Sequence, residues 1–374
     1  MESNTLSLTS GVQTIESIQN ILIENTINNL LLQTETNLVD AIPNIDLRSI
    51  QFPENDKHVT NDILAHQISA RIAAESFYAT SSSPLSILTN DLSETTGFVN
   101  QWNAYYSKMM SLTNTILSSE EDRSNLILGI QSLRNSCNVK EKNCLNSILS
   151  LTNFQTSISN ALLYLNGDKT IISKIFSGES GIISQLEKEI VDLNTTMEND
   201  NKTNAKGAIK QGLGVLIITV VVVAEIFANS DEEEPEMSEE SGKIIEASID
   251  IIKEDQKLQT AATAEWNASF IKYQNTVKEL ASDKQLYSAV LQLCNTMTLI
   301  NKNISDAIYN EKLIQTNWSN LDSSFENLQD QIKNADSSEI QIIKEEFTQL
   351  NNSLNELRET AISLESVGTI SVKN

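Results

Sequence analysis

A chain of 374 residues with 40% hydrophobic content can bury a substantial core, and its 26 basic against 50 acidic residues leave a formal charge of −24. Such a surface repels phosphate, which argues against nucleic acid as a partner, and it argues against docking on anionic lipid through basic patches. Four prolines (Pro43, Pro53, Pro84 and Pro235) and 11 glycines are a poor inventory for a β-sandwich or an α/β enzyme, whose many turns need both; they suit a few long helices.

The opening MESNTLSLTSGVQTIES has no basic n-region and no continuous apolar h-region, so it does not read as a Sec signal peptide, and export would use another route. The first helix is predicted over 5–40, with Ile15, Ile18, Leu22, Ile27, Leu30, Leu31 and Leu38 on one stripe. Pro43 and Pro53 bracket a loop. A second helix over 58–80 carries Ile63, Ile68, Ile72, Ala73 and Phe77. Ser83 then serves as a cap and Pro84 as first-turn residue for a third helix. Its seam runs through Leu88, Leu92, Val99, Trp102, Tyr106, Met109 and Ile116, with Thr95 and Thr113 filling two steps.

From Leu126 to Leu165 another helical stretch carries Ile148, Leu151, Ile158, Leu162 and Leu165, with a possible interruption around Cys137–Cys144. On one continuous helix those two thiols lie ~10 Å apart, too far for a disulfide; in a turn they could pair. Asn166-Gly167-Asp168 reads as its stop, Gly167 suiting a left-handed residue and Asp168 capping the next stretch over 169–205. That stretch steps through Ile182, Leu186, Ile190, Leu193 and Met197.

Residues Gly207 to Ala228, GAIKQGLGVLIITVVVVAEIFA, are unlike the rest of the chain. Gly212 to Ala224 is uncharged, and Thr219 is its sole polar side chain. As a helix these ~13 residues span about 20 Å, short of the ~30 Å hydrocarbon core; about 22 residues from Gly207 to Ala228 are enough, with Lys210 and Glu225 snorkelling near the ends. Val220 to Val223 favour a strand in water. The element therefore reads as a buried strand in one state and part of a membrane segment in another, and a plain core strand or buried helix is the simpler alternative. The acidic block Asp231, Glu232, Glu233, Glu234 and Glu236 follows, a brake on entry into the bilayer.

Beyond it, 241–299 forms the longest candidate helix, marked by Ile245, Ile249, Ile252, Ala262, Trp266, Phe270, Tyr273, Val277, Leu280, Tyr287, Leu291 and Cys294. A separate segment over 303–334 carries Ile304, Ile308, Leu313, Trp318, Leu321, Phe325, Leu328 and Ile332. Asp336, with Glu339 as reciprocal partner, then caps a last helix through Ile343, Phe347, Leu350, Leu354, Leu357, Ala361 and Leu364.

There is no P-loop, GxGxxG followed by a helix, HExxH or GxSxG. Two histidines (His58, His66), three cysteines (Cys137, Cys144, Cys294) and no CxxC offer no zinc site, and the acidic block lacks the alternating spacing of a calcium loop. No catalytic, cofactor-binding or metal residues are assigned, and the chain does not read as an enzyme.

Long amphipathic helices on both sides of one hydrophobic excursion resemble the cytolysin A superfamily of α-helical pore-forming toxins, with the haemolysin BL, non-haemolytic enterotoxin and motility-associated killing-factor components. The resemblance implies a mainly α fold: an elongated bundle of about five long helices with a small head containing a hydrophobic β-tongue or helical hairpin. It places the bundle tail at 1–200 and 241–374 and the head at 201–240, with Leu213, Val215, Leu216, Ile217, Ile218, Val220, Val221, Val222, Val223, Ile226 and Phe227 entering the membrane. It further implies a secreted protein whose partners are the target-cell lipid membrane and companion toxin components, in a homo- or hetero-oligomeric pore. The alternative is a helical scaffold or secretion translocator with a buried or single-pass apolar segment.

Overall fold

The computed structural model describes residues 6–41, 59–79, 83–175 and 260–368. Among them are six helices and no strand: α1 (Leu6–Ala41), α2 (Val59–Glu75), α3 (Pro84–Leu112), α4 (Glu120–Ile175), α5 (Thr260–Asn334) and α6 (Glu339–Gly368). The mainly α class is as expected. Residues 42–58, where a loop is expected, the stretch from 176 to 259 with the apolar element, and residues 369–374 lie outside the described residues.

The helices form two units. One takes α1 to Thr26, α3 from Ser86, α4 to Leu151, α5 from Asp306, and α6. The other takes α1 from Ile27, α2, α4 from Thr152, and α5 to Ser305.

In the first unit five helical segments close around an aromatic core. Phe98 and Trp102 of α3 meet Trp318 and Phe325 of α5 and Phe347 of α6, with ring centroids between 5.1 and 6.4 Å apart. The reason is periodicity: Ile343, Phe347, Leu350, Leu354, Leu357, Ala361 and Leu364 recur every three or four residues and are all buried, so α6 lays one continuous stripe into the bundle. Burying each large side chain stabilises by ~1.5–3 kcal/mol, an upper figure because unfolded chains bury some apolar surface already. Trp102 Nε1 is not wasted; it donates to Asn351 Oδ1 at 3.1 Å.

Helix ends are satisfied as the sequence suggests. The Asp336 backbone N–H donates to Glu339 Oε2 at 2.9 Å, and the Glu339 N–H to Asp336 Oδ1 at 3.1 Å, the reciprocal capping box. Ser119 Oγ accepts the Asp122 N–H at 3.1 Å, and Glu120, Glu121 and Asp122 line the positive N-terminus of α4. Arg123 donates to the carbonyls of Ile116 (3.3 and 3.2 Å), Ile332 (3.3 Å) and Lys333 (2.6 Å), closing the turn before α4 and the last turn of α5.

The structure corrects four readings. The helix over Leu126–Leu165 is not interrupted at Cys137–Cys144, and all three cysteines are free and buried. Nor does α4 stop at Gly167: it runs on to Ile175, because Asp168 turns inward to a partner on α2 instead of capping. A helical glycine costs only ~1 kcal/mol, which a long packed helix tolerates. The segments drawn at 299 and 303 are one helix, α5, since the buried stripe Ile300, Ile304, Ala307 crosses the supposed break in phase. In and just after α2, Ile63, Ala73 and Phe77 are buried as read, but Ile68 and Ile72 are exposed at 42% and 61%, and Gln67, Ala70 and Ala74 take their place in the buried stripe.

Candidate functional site

The predicted insertion residues Leu213, Val215, Leu216, Ile217, Ile218, Val220, Val221, Val222, Val223, Ile226 and Phe227 all lie outside the described residues. No helix among the described residues is long and apolar enough to cross a membrane. What the structure does describe is the second unit, whose described residues end at Ile175 before that stretch and resume at Thr260 after it.

That unit is held by polar pairs set into its helix seams. His66 of α2 donates from Nδ1 to both carboxylate oxygens of Asp168 on α4 at 2.9 Å, and its ring stacks on Tyr164 with centroids 4.8 Å apart. Burial pushes the Asp168 carboxyl upward, and the hydrogen bond from His66 opposes that. Glu35 of α1, 6% exposed, accepts from Asn303 Nδ2 of α5 at 2.7 Å. Tyr78, after α2, takes a hydrogen bond from Thr36 and donates to the Gln33 carbonyl, each at 3.0 Å; burial lifts its phenol to about 12. Gln155 and Ser159 of α4 reach Ser305 and Asn301 of α5 at 2.6 and 3.2 Å. Phe77, in the turn after α2, adds a second ring contact onto α4, against Phe154 at 5.6 Å.

The first unit holds its own polar cluster. Arg134 of α4 forks onto Asp322 of α5 at 2.9 and 3.3 Å and also reaches Glu326 at 3.1 Å and Gln329 at 3.0 Å, residues four and three apart on one face of α5. Deeper in, Asp91 and Glu94 of α3, Lys140, Asn143 and Cys144 of α4, Glu311 of α5 and Asn25 of α1 converge. None of these was assigned from the sequence. One signal was present: Glu311 occupies the seam position between Ala307 and Ile314, where every other step of the stripe is apolar.

A family model for the Bacillus haemolytic enterotoxin (HBL) matches residues 12–200, just over half of the chain. The chain belongs to that family. Curated protein sequences provide no match. Among solved structures, the Bacillus cereus HblL1 toxin component shares 18% identity, covering 95% of this chain and 97% of that one, with a TM-score of 0.71. Soluble SmhA of the Serratia marcescens tripartite α-pore-forming toxin shares 16% identity over 96% and 97%, at 0.72. AhlB of the Aeromonas hydrophila tripartite toxin, 12% identical, scores 0.67 in its soluble form (96% of each chain) and 0.53 as a pore (96% and 99%). The fold of this enterotoxin-family chain is thus shared along its length with α-pore-forming toxin components, and its likeness is greater to the soluble form.

The remaining chemistry of this enterotoxin-family chain fits packing. Burial drives the Cys137 and Cys144 thiols well above their ordinary range, so neither is a thiolate nucleophile. Among the described residues no group of three or more His, Cys, Asp or Glu side chains is arranged to hold a metal ion. His58 lies outside them, and His66 is the half-buried structural histidine described above.

Proposed function

We propose that the chain is the soluble form of one component of a multicomponent α-pore-forming toxin, secreted and acting on the membranes of target cells without enzymatic chemistry. The observation that carries this reading is the fit of one fold over 95% of this chain and 97% of HblL1, inside a haemolytic enterotoxin family. The scaffold or translocator alternative is not favoured by that match. Companion components follow from the tripartite toxins to which the fold is similar, and membrane-bound oligomers from their pore structures.

In this reading residues 1–200 and 241–374 form the tail and 201–240 the head. The apolar side chains Leu213 to Phe227 are the insertion element, and their number is the energetic argument. About 13 apolar residues at ~1.5–3 kcal/mol each exceed a typical domain stability of ~5–15 kcal/mol. Transfer of this element into lipid can therefore drive a large rearrangement, provided the membrane binds the open state better than the closed one.

The test is dye release from neutral liposomes by the purified protein, alone and with its companion components, beside Val221→Asp. Release by the complete set that the substitution abolishes is the expected result. Equal release by both proteins would remove the insertion role from this element, and no membrane association in any combination would overturn the pore-forming reading.

A further inference from the structure

Gly11 is a buried residue inside α1, and glycine is the poorest helix former after proline, so its place needs a reason. A Cβ built on it would stand 3.2 Å from Leu350 Cδ2 of α6 and 3.7 Å from Ser324 Cβ of α5. The first distance is tighter than side chains ordinarily pack. Between α5 and α6 there is thus a notch shaped for a residue without a side chain.

Three polar contacts carry the same register along α1. Asn317 Nδ2 of α5 donates to Ser17 Oγ at 2.9 Å, and Asn25 Nδ2 donates to Glu311 Oε1 of α5 at 2.9 Å. Gln19 Nε2 donates to Thr360 Oγ1 of α6 at 2.7 Å. As α1 advances from Gly11 to Ser17 to Asn25, its partners on α5 step back from Ser324 to Asn317 to Glu311, so the two helices run antiparallel in nearly constant register.

The buried stripe of α1 does not fix that register. Its members follow one another at steps of three and four: Gly11, then Thr14 and Ile15, Ile18, Ile21 and Leu22, Asn25, and Asn28 and Asn29. A slip of one such step lays buried residues on buried places. In one direction the slip sets Ile21 or Leu22 against the fully buried Glu311 carboxyl and takes away its donor, which is costly. In the other direction it brings Asn28 or Asn29 to Glu311 and keeps the carboxyl satisfied. What meets this second slip is the notch, into which it drives Thr14 or Ile15, both branched at Cβ.

We propose that Gly11 holds α1 in register: the notch between α5 and α6 admits a residue with no side chain, and so rejects the one-turn slip toward Asn28 and Asn29 that the Glu311 seam accepts. Gly11 is a positioning residue in this sense, and the inference does not rest on the pore-forming reading.

Spin labels at Asn20→Cys and Lys333→Cys, exposed on α1 and α5, read the register, the three native cysteines being buried. With Gly11 and Leu350 intact, one distance is expected. Leu350→Ala opens the notch, and the slipped register fills the space with Ile15, so a second distance about 5 Å shorter should appear. Leu354→Ala, the same truncation one turn further along the buried stripe of α6, should keep one distance. Gly11→Val combined with Leu350→Ala fills the notch in the native register and should restore the single distance. Alone, Gly11→Val should melt about 2–6 °C below the wild type, although valine is the better helix former. An unchanged single distance in Leu350→Ala, a longer second distance in place of a shorter one, or the same second distance in Leu354→Ala would overturn the proposal. So would a Tm raised by Gly11→Val, a result that stands even if Leu350→Ala does not fold.

Discussion

The two units are built from the same long helices by different means. The first encloses a cluster of five large aromatic rings and seals its helix ends with Arg123 and the Asp336–Glu339 box. The second has two isolated ring contacts onto α4, His66–Tyr164 from α2 and Phe77–Phe154 from the turn after it, and it is tied further by His66–Asp168, Glu35–Asn303 and the Tyr78 bonds. Apolar packing is non-directional and sums over many atoms, whereas a buried hydrogen bond contributes only ~0.5–1.5 kcal/mol net and costs more when one partner is lost. Among the described residues, the second unit, which lies on either side of the stretch 176–259 in sequence, thus depends more on individual polar pairs.

Breaking the aromatic frame should have the largest effect. Trp102→Ala removes a fully buried ring and strands the Asn351 side chain that accepts its N–H, and it should cost about 3–5 kcal/mol in chemical denaturation. Asn303→Ala deletes a donor to the buried Glu35 carboxyl and should cost about 1–3 kcal/mol. Hydrogen exchange sharpens the contrast: the Asn303→Ala loss should appear first in amides of α1 beyond Ile27 and of α5 before Ser305. Protection lost equally across α3 and α6 would show that the two units do not differ in this way.

Thiol labelling makes a further check. Cys137 and Cys144 should stay unreactive toward a disulfide reagent in the native protein and react only on unfolding, since burial suppresses both their access and their ionisation. The smallest effect is expected at the exposed cap. Asp336→Ala should lower Tm by a degree or two. Hydrogen bonds from Ser338 and Glu339 hold the Asp336 carboxyl below its ordinary range, so its contribution is present above that range and vanishes as the pH falls through the folded value. Acid melts of wild type and Asp336→Ala should therefore converge.

The helices themselves were legible in the chain because a packed helix must repeat its apolar residues every three or four positions, and α6, with its capping box and seven buried seam residues, follows that rule throughout. The same rule failed where polar residues hold seam positions. Gln67 on α2 is buried while Ile68 and Ile72 face outward, and Asp168, apparently a cap, is a partner for His66. Composition and charge, the lack of catalytic motifs and the one apolar island needed only local reading. Which seam meets which, and which buried polar side chain finds a partner, are long-range matters: Asn25 and Glu311, or Glu35 and Asn303, lie more than two hundred residues apart. A buried carboxyl in a seam is costly alone and acceptable once satisfied, so only the tertiary structure, which brings Asn25 to Glu311, decides whether Glu311 is a flaw or a satisfied contact.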